Sequence, residues 1–360
     1  MKFGIFFELS VPRPWDAESE HRVYHESLEQ ARLADELGFD CVWAVEHHFL
    51  EEYSHSSSPE LFLTACAMQT TNIRVGHGIV ICVPEFSHPI RIAERAATLD
   101  ILSHGRLEFG TGRSGTWTEL GGFGSNPDET KKTWDEFVRV IPKMWTQERF
   151  GYEGLSFSMP TRCVLPKPYQ KPHPPMWVAV TSPGTEIDAA ERGLGALGVS
   201  FGSPAEQERK IRGYKTRIAN CEPVGDVVND NIAALNFLYC HEDHETGVAI
   251  GRRMTGSFNY HASQLLSARE AYPTRSYPTL GLLPGPRRQA AEDAEGRGGE
   301  TVAIGNPEQI SKVIARFEST GFDSMNFLLN TVETIPQEEV LASLRLFAKE
   351  VMPRFRKEDV

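Results

Sequence analysis

Short apolar runs alternate along the chain with longer stretches in which apolar residues recur every three or four positions. Lys2–Phe7 is a run of the first kind, and His21–Leu37 is a stretch of the second kind that ends just before Gly38. Continuous apolar runs are typical of parallel strands buried on both faces, and the longer period is typical of amphipathic helices. Strands are predicted to begin at Lys2, Cys41, Ile73, Arg106, Met176, Ala196, Ala233 and Ser324. Eight strands with helices between them predict an α/β fold, the (β/α)8 TIM barrel.

One helix-to-strand junction occurs twice. The tripeptide Gly-Phe-Asp stands at 38–40 before the second predicted strand and at 321–323 before the last one. Asn306-Pro307 begins the helix that precedes the second copy, with asparagine as the N-cap and proline at the first helical position. The repetition favours a fold built from equivalent helix–strand units.

Two longer segments interrupt this rhythm. We interpret residues 1–360 as a single barrel domain with insertions at about 111–175, after the fourth strand, and at about 241–301, after the seventh. The first contains a predicted helix and hairpin, and the second ends in Gly281–Gly299, which is rich in glycine, proline and arginine. Long loops of compact domains are typically functional, so both are predicted to cover the barrel mouth. A domain boundary near residue 170 is the alternative.

The composition excludes several classes of protein. Lys and Arg number 37 against 49 Asp and Glu, a net charge of −12, whereas nucleic acids and anionic membranes attract basic surfaces. No apolar stretch is long enough for a transmembrane helix. The N-terminal residues are interpreted as a strand rather than as a signal peptide. The six cysteines form no Cys-x-x-Cys pair and are predicted to be reduced core residues of a cytoplasmic protein.

A polar trio, Glu46-His47-His48, directly follows the second predicted strand. Barrel enzymes place their chemistry at the C-terminal ends of strands, and histidine exchanges protons near neutral pH. The alternative is a surface loop with two chance histidines. No third ligand is spaced to complete a metal site, so none is predicted.

A glycine-rich turn, residues 110–115, matches G-x-G-x-x-G after the fourth strand. A dinucleotide-binding turn needs a helix that opens on its last glycine, but Thr116–Pro127 contains three glycines and a proline and is predicted not to form a good helix. The remaining interpretation is a turn that lets backbone approach a ligand, with Arg113 directed at a phosphate. A tight turn with a solvated arginine is the alternative.

Two further strand ends suggest a ligand. Residues 181–185 carry hydroxyl groups before a predicted helix, Glu186–Arg192, and form either an anion site or a simple cap made by Ser182 or Thr185. Gly78 lies inside a predicted continuous strand, Ile73–Val83, and marks either a close ligand approach or a bulge. In a parallel barrel these ends share one face, so a ligand with a phosphate and a large planar body would reach all of them.

These residues resemble the bacterial luciferase-like monooxygenase family over nearly the whole chain. The resemblance is carried by WAVEHHF at 43–49, GIV at 78–80 with HPIRIAERAATLDILSHGRLEFGTGR at 88–113, KPHPPMWVAVTSP at 171–183, and AIGNPEQI with GFDSMNF near the C-terminus. It implies an enzyme that takes reduced FMN (FMNH2) from a separate NAD(P)H:flavin reductase. O2 would add to the flavin C4a position, and the peroxide would oxidise an aldehyde, ketone or similar small organic substrate.

The resemblance also assigns site residues. His47 is implied as the catalytic base, with Glu46 beside it. The residues expected to hold the cofactor are Ala44, Gly78 and Ile79 at the ring and Gly112, Arg113, Thr181, Ser182 and Thr185 toward the phosphate. A non-proline cis peptide is expected at Gly78–Ile79. The resemblance further implies a homodimer, formed by the helices Pro59–Gln69 and Pro89–Leu102.

Some positions depart from the light-emitting members of this family. They carry a cysteine where this chain has Gly112 and a glutamate where it has Val180, so light emission is not implied. Two rival functions stay open. One is hydride transfer with the deazaflavin F420, and the other is a non-catalytic flavin-binding relative, against which the intact His47 counts.

Overall fold

The computed structural model describes residues 1–181, 184–198, 204–267, 301–332 and 334–356. The strands are β1 (Lys2–Phe7), β2 (Cys41–Ala44), β3 (Arg74–His77), β4 (Val80–Ile81), β5 (Leu107–Gly112), β6 (Phe150–Glu153), β7 (Ser158–Arg162), β8 (Met176–Ala179), β9 (Gly195–Leu197), β10 (Ile232–Cys240), β11 (Ala303–Gly305) and β12 (Ser324–Leu328). The helices are α1 (Ser19–Leu37), α2 (Pro59–Gln69), α3 (Pro89–Leu102), α4 (Trp117–Gly122), α5 (Thr130–Thr146), α6 (Thr185–Glu191), α7 (Pro204–Ile218), α8 (His244–Ser267), α9 (Pro307–Thr320) and α10 (Gln337–Glu350).

Eight parallel strands close into a ring. Their order is β1, β2, β3, β5, β8, β9, β10 and β12, and β12 pairs back with β1, with Phe3 opposite Met325. The predicted TIM barrel is therefore confirmed. One strand that the sequence did not predict, β11, adds to the C-terminal end of β10, with Ala303 opposite Leu238. Within the first predicted insertion, β6 and β7 form the expected antiparallel hairpin.

The third strand is interrupted, so the prediction of one continuous strand over Ile73–Val83 is wrong. Hydrogen bonding changes partner at the break, because the amide of Gly78 donates to the carbonyl of Ala44 whereas the amide of Cys82 donates to that of Gly112. The cis peptide bonds of the described residues all precede prolines. The expected cis bond at Gly78–Ile79 is therefore also wrong. The two interpretations of Gly78, a close ligand approach and a bulge, stay predictions.

The two Gly-Phe-Asp junctions have the same structure. Gly38 and Gly321 end their helices with φ angles of 80° and 100°, where glycine is favoured. The carboxylate of Asp40 accepts the amide hydrogen of Phe3 over 2.8 Å, and that of Asp323 accepts the amide hydrogen of Ile232 over 2.8 Å. Each aspartate thus ties the start of its own strand to the neighbouring strand, which confirms the repeated unit.

The barrel interior is filled by side chains. Trp43 and Trp177 meet edge to face with ring centroids 5.4 Å apart. Gly76 and Gly195 make room for them, because a Cβ atom at either position would overlap an indole ring. The two indoles leave no room for a ligand between them, and large ligands of such barrels bind at the C-terminal mouth.

A helix forms where the sequence predicted none. Within the segment Thr116–Pro127, α4 spans six residues despite its glycines. Thr116 caps it by accepting the amide hydrogen of Glu119. The prediction failed because an N-cap and a glutamate three residues later stabilise a first turn that glycine content alone disfavours.

The remaining sequence predictions are partly testable. All six cysteines are free, with Cys41, Cys66, Cys82 and Cys240 buried. None of the helices in the described part of the chain has the length and apolar character needed to cross a membrane. The stretch Gly281–Gly299 lies outside the described residues, so its predicted place over the mouth stays a prediction.

We expect Asp323→Ala to lower the free energy of unfolding by about 1–3 kcal/mol, because it leaves the Ile232 amide without its acceptor. Asp230→Ala is the matched control, since Asp230 shares the Lys215 ammonium with Asp323 but is exposed. Its loss should cost no more than about 0.5 kcal/mol. Urea unfolding followed by circular dichroism measures both, and equal effects would contradict the structural role of the junction aspartate.

Candidate active site

The C-terminal ends of the second to fourth barrel strands lie side by side at the mouth of the barrel. Ala44 accepts the amide hydrogen of Gly78 over 2.7 Å, and Ile81 lies opposite Gly112 in the pairing of β4 with β5. Glu46 links these strands, because its Oε2 accepts the amide hydrogen of Ile81 over 2.6 Å. The structure therefore brings most of the residues predicted around a flavin ring into one continuous patch.

His47 lies between two carboxylates. Its Nδ1 is 2.9 Å from Oε1 of Glu119, and its Nε2 is 3.7 Å from Oε2 of Glu8. The backbone amide of His47 also donates to the carbonyl of Ser56 over 2.9 Å, which fixes the loop. A quarter of the His47 side chain stays exposed. The imidazole is thus held rigidly while one part of it remains accessible from the mouth.

Glu119 is fully buried and bonded through both carboxylate oxygens. Ser114 and Thr116 donate their hydroxyl hydrogens to Oε2 over 2.7 and 2.9 Å, and the backbone amide of His48 donates to Oε1 over 3.1 Å. The sequence reasoning missed Glu119 because it lies in the segment predicted not to be helical. The capping pattern Thr116-x-x-Glu119 is the sequence feature that would have revealed it.

The protonation states follow from these contacts. Burial by itself raises the pKa of Glu119, but the hydrogen bonds and the His47 imidazolium bring that pKa below its usual value. Burial by itself lowers the pKa of His47. This effect is outweighed by the charges of Glu119, Glu8 and Glu46, which raise that pKa to about 9. Burial raises the pKa of Glu8 to about 7, against the opposing influence of His47 and Tyr53. At neutral pH the site therefore holds an imidazolium against an ionised Glu119.

Glu46 does not bond to His47. Its Oε1 lies 3.3 Å from Nε2 of His48, and its other oxygen is taken by the Ile81 amide. The ring of His48 packs against Phe86 and Phe123. Glu46 therefore connects β2 to β4 and orients His48, while Glu119 orients His47.

Two of the three glycines in the 110–115 turn, Gly110 and Gly112, are required by the packing of the protein itself, whereas Gly115 has open space around it. A Cβ atom at Gly110 would overlap the carbonyl oxygen of His77, and one at Gly112 would lie 2.6 Å from Cδ1 of Ile79. Close packing of β5 against the interrupted third strand thus explains these glycines without a ligand. A cofactor contact at Gly112 stays a prediction.

Arg113 begins a second group of polar residues. Its Nη1 donates to Oγ1 of Thr130, the first residue of α5, over 3.2 Å. The next residue, Lys131, forms an ion pair at 2.7 Å with Asp188 in α6. The N-terminal turns of α5 and α6 therefore lie together near Arg113.

The predicted hydroxyl groups follow β8. Thr181 is exposed, Thr185 is half-buried as the first residue of α6, and Ser182 lies outside the described residues. The N-cap of α6 is Gly184, with a φ angle of 86° and no side-chain cap. Capping by Thr185 is therefore wrong, and the interpretation as an anion site stays a prediction for Thr181, Ser182 and Thr185.

Half-buried apolar side chains form an apolar bed near His47, because Phe258 packs against Tyr53 and the Tyr53 ring packs against His47. Ala179, Leu235, Phe237 and Phe258 are only partly buried, and they pack against the interior cluster that includes Ile79. A half-buried apolar bed with polar groups at its edges is typical of cofactor sites. Within the described ranges, no three histidine, cysteine or acidic side chains are grouped so as to hold a metal ion.

A TIM barrel with a carboxylate–imidazole pair at its C-terminal mouth has the construction of a barrel enzyme. Residues 1–324 match the family described as luciferase-like monooxygenase, so the chain belongs to that family. The oxygenase component of the flavin-dependent trigonelline monooxygenase of Acinetobacter baylyi is 25% identical over 100% of this chain and 97% of its own length. The prediction of a monooxygenase of this family is confirmed.

Solved structures share the fold. Monooxygenase RslO1 from Streptomyces bottropensis has a TM-score of 0.81 and 28% identity, covering 99% of this chain and 100% of its own. The oxygenating constituent of 3,6-diketocamphane monooxygenase from Pseudomonas putida, in complex with FMN, has a TM-score of 0.75 and 20% identity over 98% of both chains. A relative compared by sequence alone, an F420-dependent glucose-6-phosphate dehydrogenase of Microbacterium testaceum, is 24% identical over 95% of this chain and 97% of its own length.

We expect Glu119→Gln to lower the pKa of His47 by at least about one unit, because a neighbouring opposite charge shifts a pKa by about 1–3 units. The raised pKa of His47 stabilises the folded protein below pH 6.5, and this stabilisation is lost as the pH rises toward 9. The variant should show a weaker dependence, because Glu8 and Glu46 still raise the pKa of His47. NMR titration of labelled histidine measures the pKa. Glu136→Gln is the control, since Glu136 is equally a buried glutamate but accepts from Leu155 and Ser156. An unchanged His47 titration in Glu119→Gln would contradict the pairing.

Proposed function

We propose that the protein is an FMNH2-dependent monooxygenase that uses O2 to oxidise a small organic substrate such as an aldehyde or ketone. The observation that carries the proposal is the His47 imidazole, held between Glu119 and Glu8 beside the apolar bed. The A. baylyi relative is the oxygenase component of its system. By the same logic a separate NAD(P)H:flavin reductase supplies reduced flavin here. We also propose that the protein works in the cytoplasm, as the sequence predicts.

The residues at the mouth fit FMN by their chemistry. FMN has a large flat ring system with an apolar dimethylbenzene end and a polar pyrimidine end, and a phosphate at the end of its ribityl side chain. The half-buried Ala179, Leu235 and Phe237 suit the ring. The guanidinium of Arg113 and the hydroxyl groups of Thr181 and Thr185 suit the phosphate, and we extend this set to Ser182.

Bound reduced FMN supplies the two electrons with which O2 is reduced as one oxygen atom passes to the substrate. The part of this chain is to hold the proton and to exclude water. Glu119 accepts the Nδ1 hydrogen of His47, which leaves Nε2 as the atom that gives or takes a proton. Glu46 keeps β4 in place at the barrel mouth by accepting the amide hydrogen of Ile81. We assign His47 as the proton-exchanging residue and Glu46 as its structural neighbour.

A second candidate is hydride transfer with F420. It is favoured by the F420-dependent relative from M. testaceum, which aligns over nearly the whole chain. The two candidates differ in the group that binds and in their need for O2. The intact His47–Glu119 pair disfavours the third candidate, a flavin-binding relative without turnover.

A homodimer through α2 and α3 is also proposed. Four positions of α2 that are not buried follow helical spacing and carry no charge: Leu61, Thr64, Ala65 and Met68. Leu61 and Met68 are 69% and 67% exposed, and Ile101 and Leu102 at the end of α3 add further exposed apolar surface. Surface helices normally present charged residues to water, so this uncharged face fits a second copy of the chain.

The function is tested with purified protein, photoreduced FMN, O2 and a panel of aldehydes and ketones. We expect coupled oxygen uptake and product. His47→Asn should reduce turnover by about 100-fold or more, the usual worth of a positioned acid–base group. Arg113→Met should weaken reduced-FMN binding by at least about tenfold through loss of a charge-assisted contact.

Arg139→Met is the control, since Arg139 is an exposed arginine paired with Asp135 on the outside of α5. Titration of FMN, reduced FMN and F420 against the same protein separates the candidates. Tight F420 binding with oxygen-independent reduction would replace the monooxygenase proposal, and wild-type turnover by His47→Asn would remove the role given to His47.

Leu61→Glu with Met68→Glu should convert the dimer to a monomer, measured by sedimentation velocity. Placing charges in a buried apolar contact should raise the dimer dissociation constant by at least about thirtyfold, equivalent to 2 kcal/mol. Leu155→Glu is the control, because Leu155 is also 69% exposed but lies in the hairpin between β6 and β7. A double variant that sediments like wild type would contradict this interface.

A further inference from the structure

A cavity of about 340 Å³ lies beside the active site. Its wall comes from the loop after β1, the first turns of α1 and the loop after β12. Arg13, Arg22 and Thr334 are exposed at its outer end, and Glu8 and Thr331 are buried at its inner end. The cavity therefore leads from the surface to Glu8. The segments that line it differ from the loop after β2 and helix α4, which hold His47.

The inner end carries two buried polar atoms without a hydrogen-bond partner in the protein. They are Oε2 of Glu8 and Oγ1 of Thr331, in residues that are 5% and 2% exposed. Buried polar atoms of native proteins are nearly always paired, with ordered water where the protein offers no partner. A cavity of this size and polarity has room for several waters, which would satisfy both atoms.

Glu8 connects this cavity to the active site. Its Oε1 receives the Tyr53 hydroxyl over 3.4 Å, and its Oε2 is 3.7 Å from Nε2 of His47. Nδ1, on the other side of the imidazole, is occupied by Glu119. Nε2 is therefore the imidazole nitrogen that faces both Glu8 and the proposed reaction.

We propose that the cavity is a proton path in which water delivers protons to Oε2 of Glu8, and Glu8 passes them to Nε2 of His47. A proton leaves water for the carboxylate, then leaves the carboxyl group for the imidazole, and both carriers return to their first state when His47 gives its proton up. This proposal rests on the proposed function, because FMN and substrate at the mouth would cut His47 off from bulk water there.

The electrostatic setting agrees with this path. Burial holds the pKa of Glu8 at about 7, where a carboxyl group gains and loses protons readily. The charged or titratable groups facing Glu8 and His47 are Glu119, Glu46 and Tyr53. At the outer end, Arg13 is paired with Glu51 and Glu52, Arg22 with Asp16, and Glu26 also lines the wall.

The test measures proton exchange rather than turnover. The exchange of the Nε2 hydrogen of His47 with water is followed by NMR on the full-length protein labelled with 15N-histidine, with oxidised FMN bound so that the mouth is not open to bulk water. Glu8→Gln keeps the shape but removes the proton carrier, and Thr331→Val keeps the shape but removes the inner hydroxyl. Both should slow the exchange by at least about tenfold, a threshold set below the roughly 10²–10⁴-fold that a positioned acid–base group typically contributes.

Thr133→Val is the matched control, because Thr133 is also buried but donates its hydroxyl hydrogen within α5. It should leave the exchange unchanged. Exchange at the wild-type rate in either Glu8→Gln or Thr331→Val overturns the path, and Thr331→Val alone decides if Glu8→Gln does not fold. FMN binding is measured in the same sample. If FMN does not bind, the proposed function and the path both fail, whereas unchanged exchange with FMN bound overturns the path alone.

Discussion

The contact between the Glu119 carboxylate and the His47 imidazole is the interaction on which the site depends. A buried charge is costly unless it is paired and hydrogen-bonded. Here the cost is offset by the Ser114 and Thr116 hydroxyls and the His48 amide, which occupy both carboxylate oxygens. The pair fixes which ring nitrogen faces the mouth. It also joins the Gly-Arg turn after β5 to the loop after β2, two segments that would otherwise be independent.

The barrel supplies the rigid frame for this pair. Its interior is packed by Trp43 and Trp177, and its third strand is interrupted between His77 and Val80 without a cis peptide. Before the interruption β3 pairs with both β2 and β5, whereas after it β4 pairs with β5, and Glu46 spans the gap by accepting the Ile81 amide. One carboxylate thus holds the strands while another holds the imidazole. Two adjacent polar residues, Glu46 and His47, have separate structural partners.

The charge balance around His47 also bears on its chemistry. Three carboxylates, Glu8, Glu46 and Glu119, raise its pKa and favour the imidazolium at neutral pH. Burial raises the pKa of Glu8 to about 7, and its Oε2 has no hydrogen-bond partner in the protein. Glu8 and His47 can therefore exchange a proton. Glu119 cannot take this part, because its pKa is lowered and it stays ionised. The polar cavity next to Glu8 supports the same conclusion, that Glu8 exchanges protons with His47 while Glu119 stays ionised.

The sequence by itself determined the eight strands, the Gly-Phe-Asp junctions, the Asn306 cap and the positions of His47 and Arg113, because each is recorded in a local pattern of a few residues. Asn306 indeed accepts the amide hydrogen of Gln309. Only the tertiary structure decided the partners of His47, because Glu119 lies 72 positions away in the chain and a periodic pattern carries no information at that distance. The interruption of the strand after His77 and the short α4 were likewise decided by contacts across strands and by a cap, which outweighed the local preferences of valine, isoleucine and glycine.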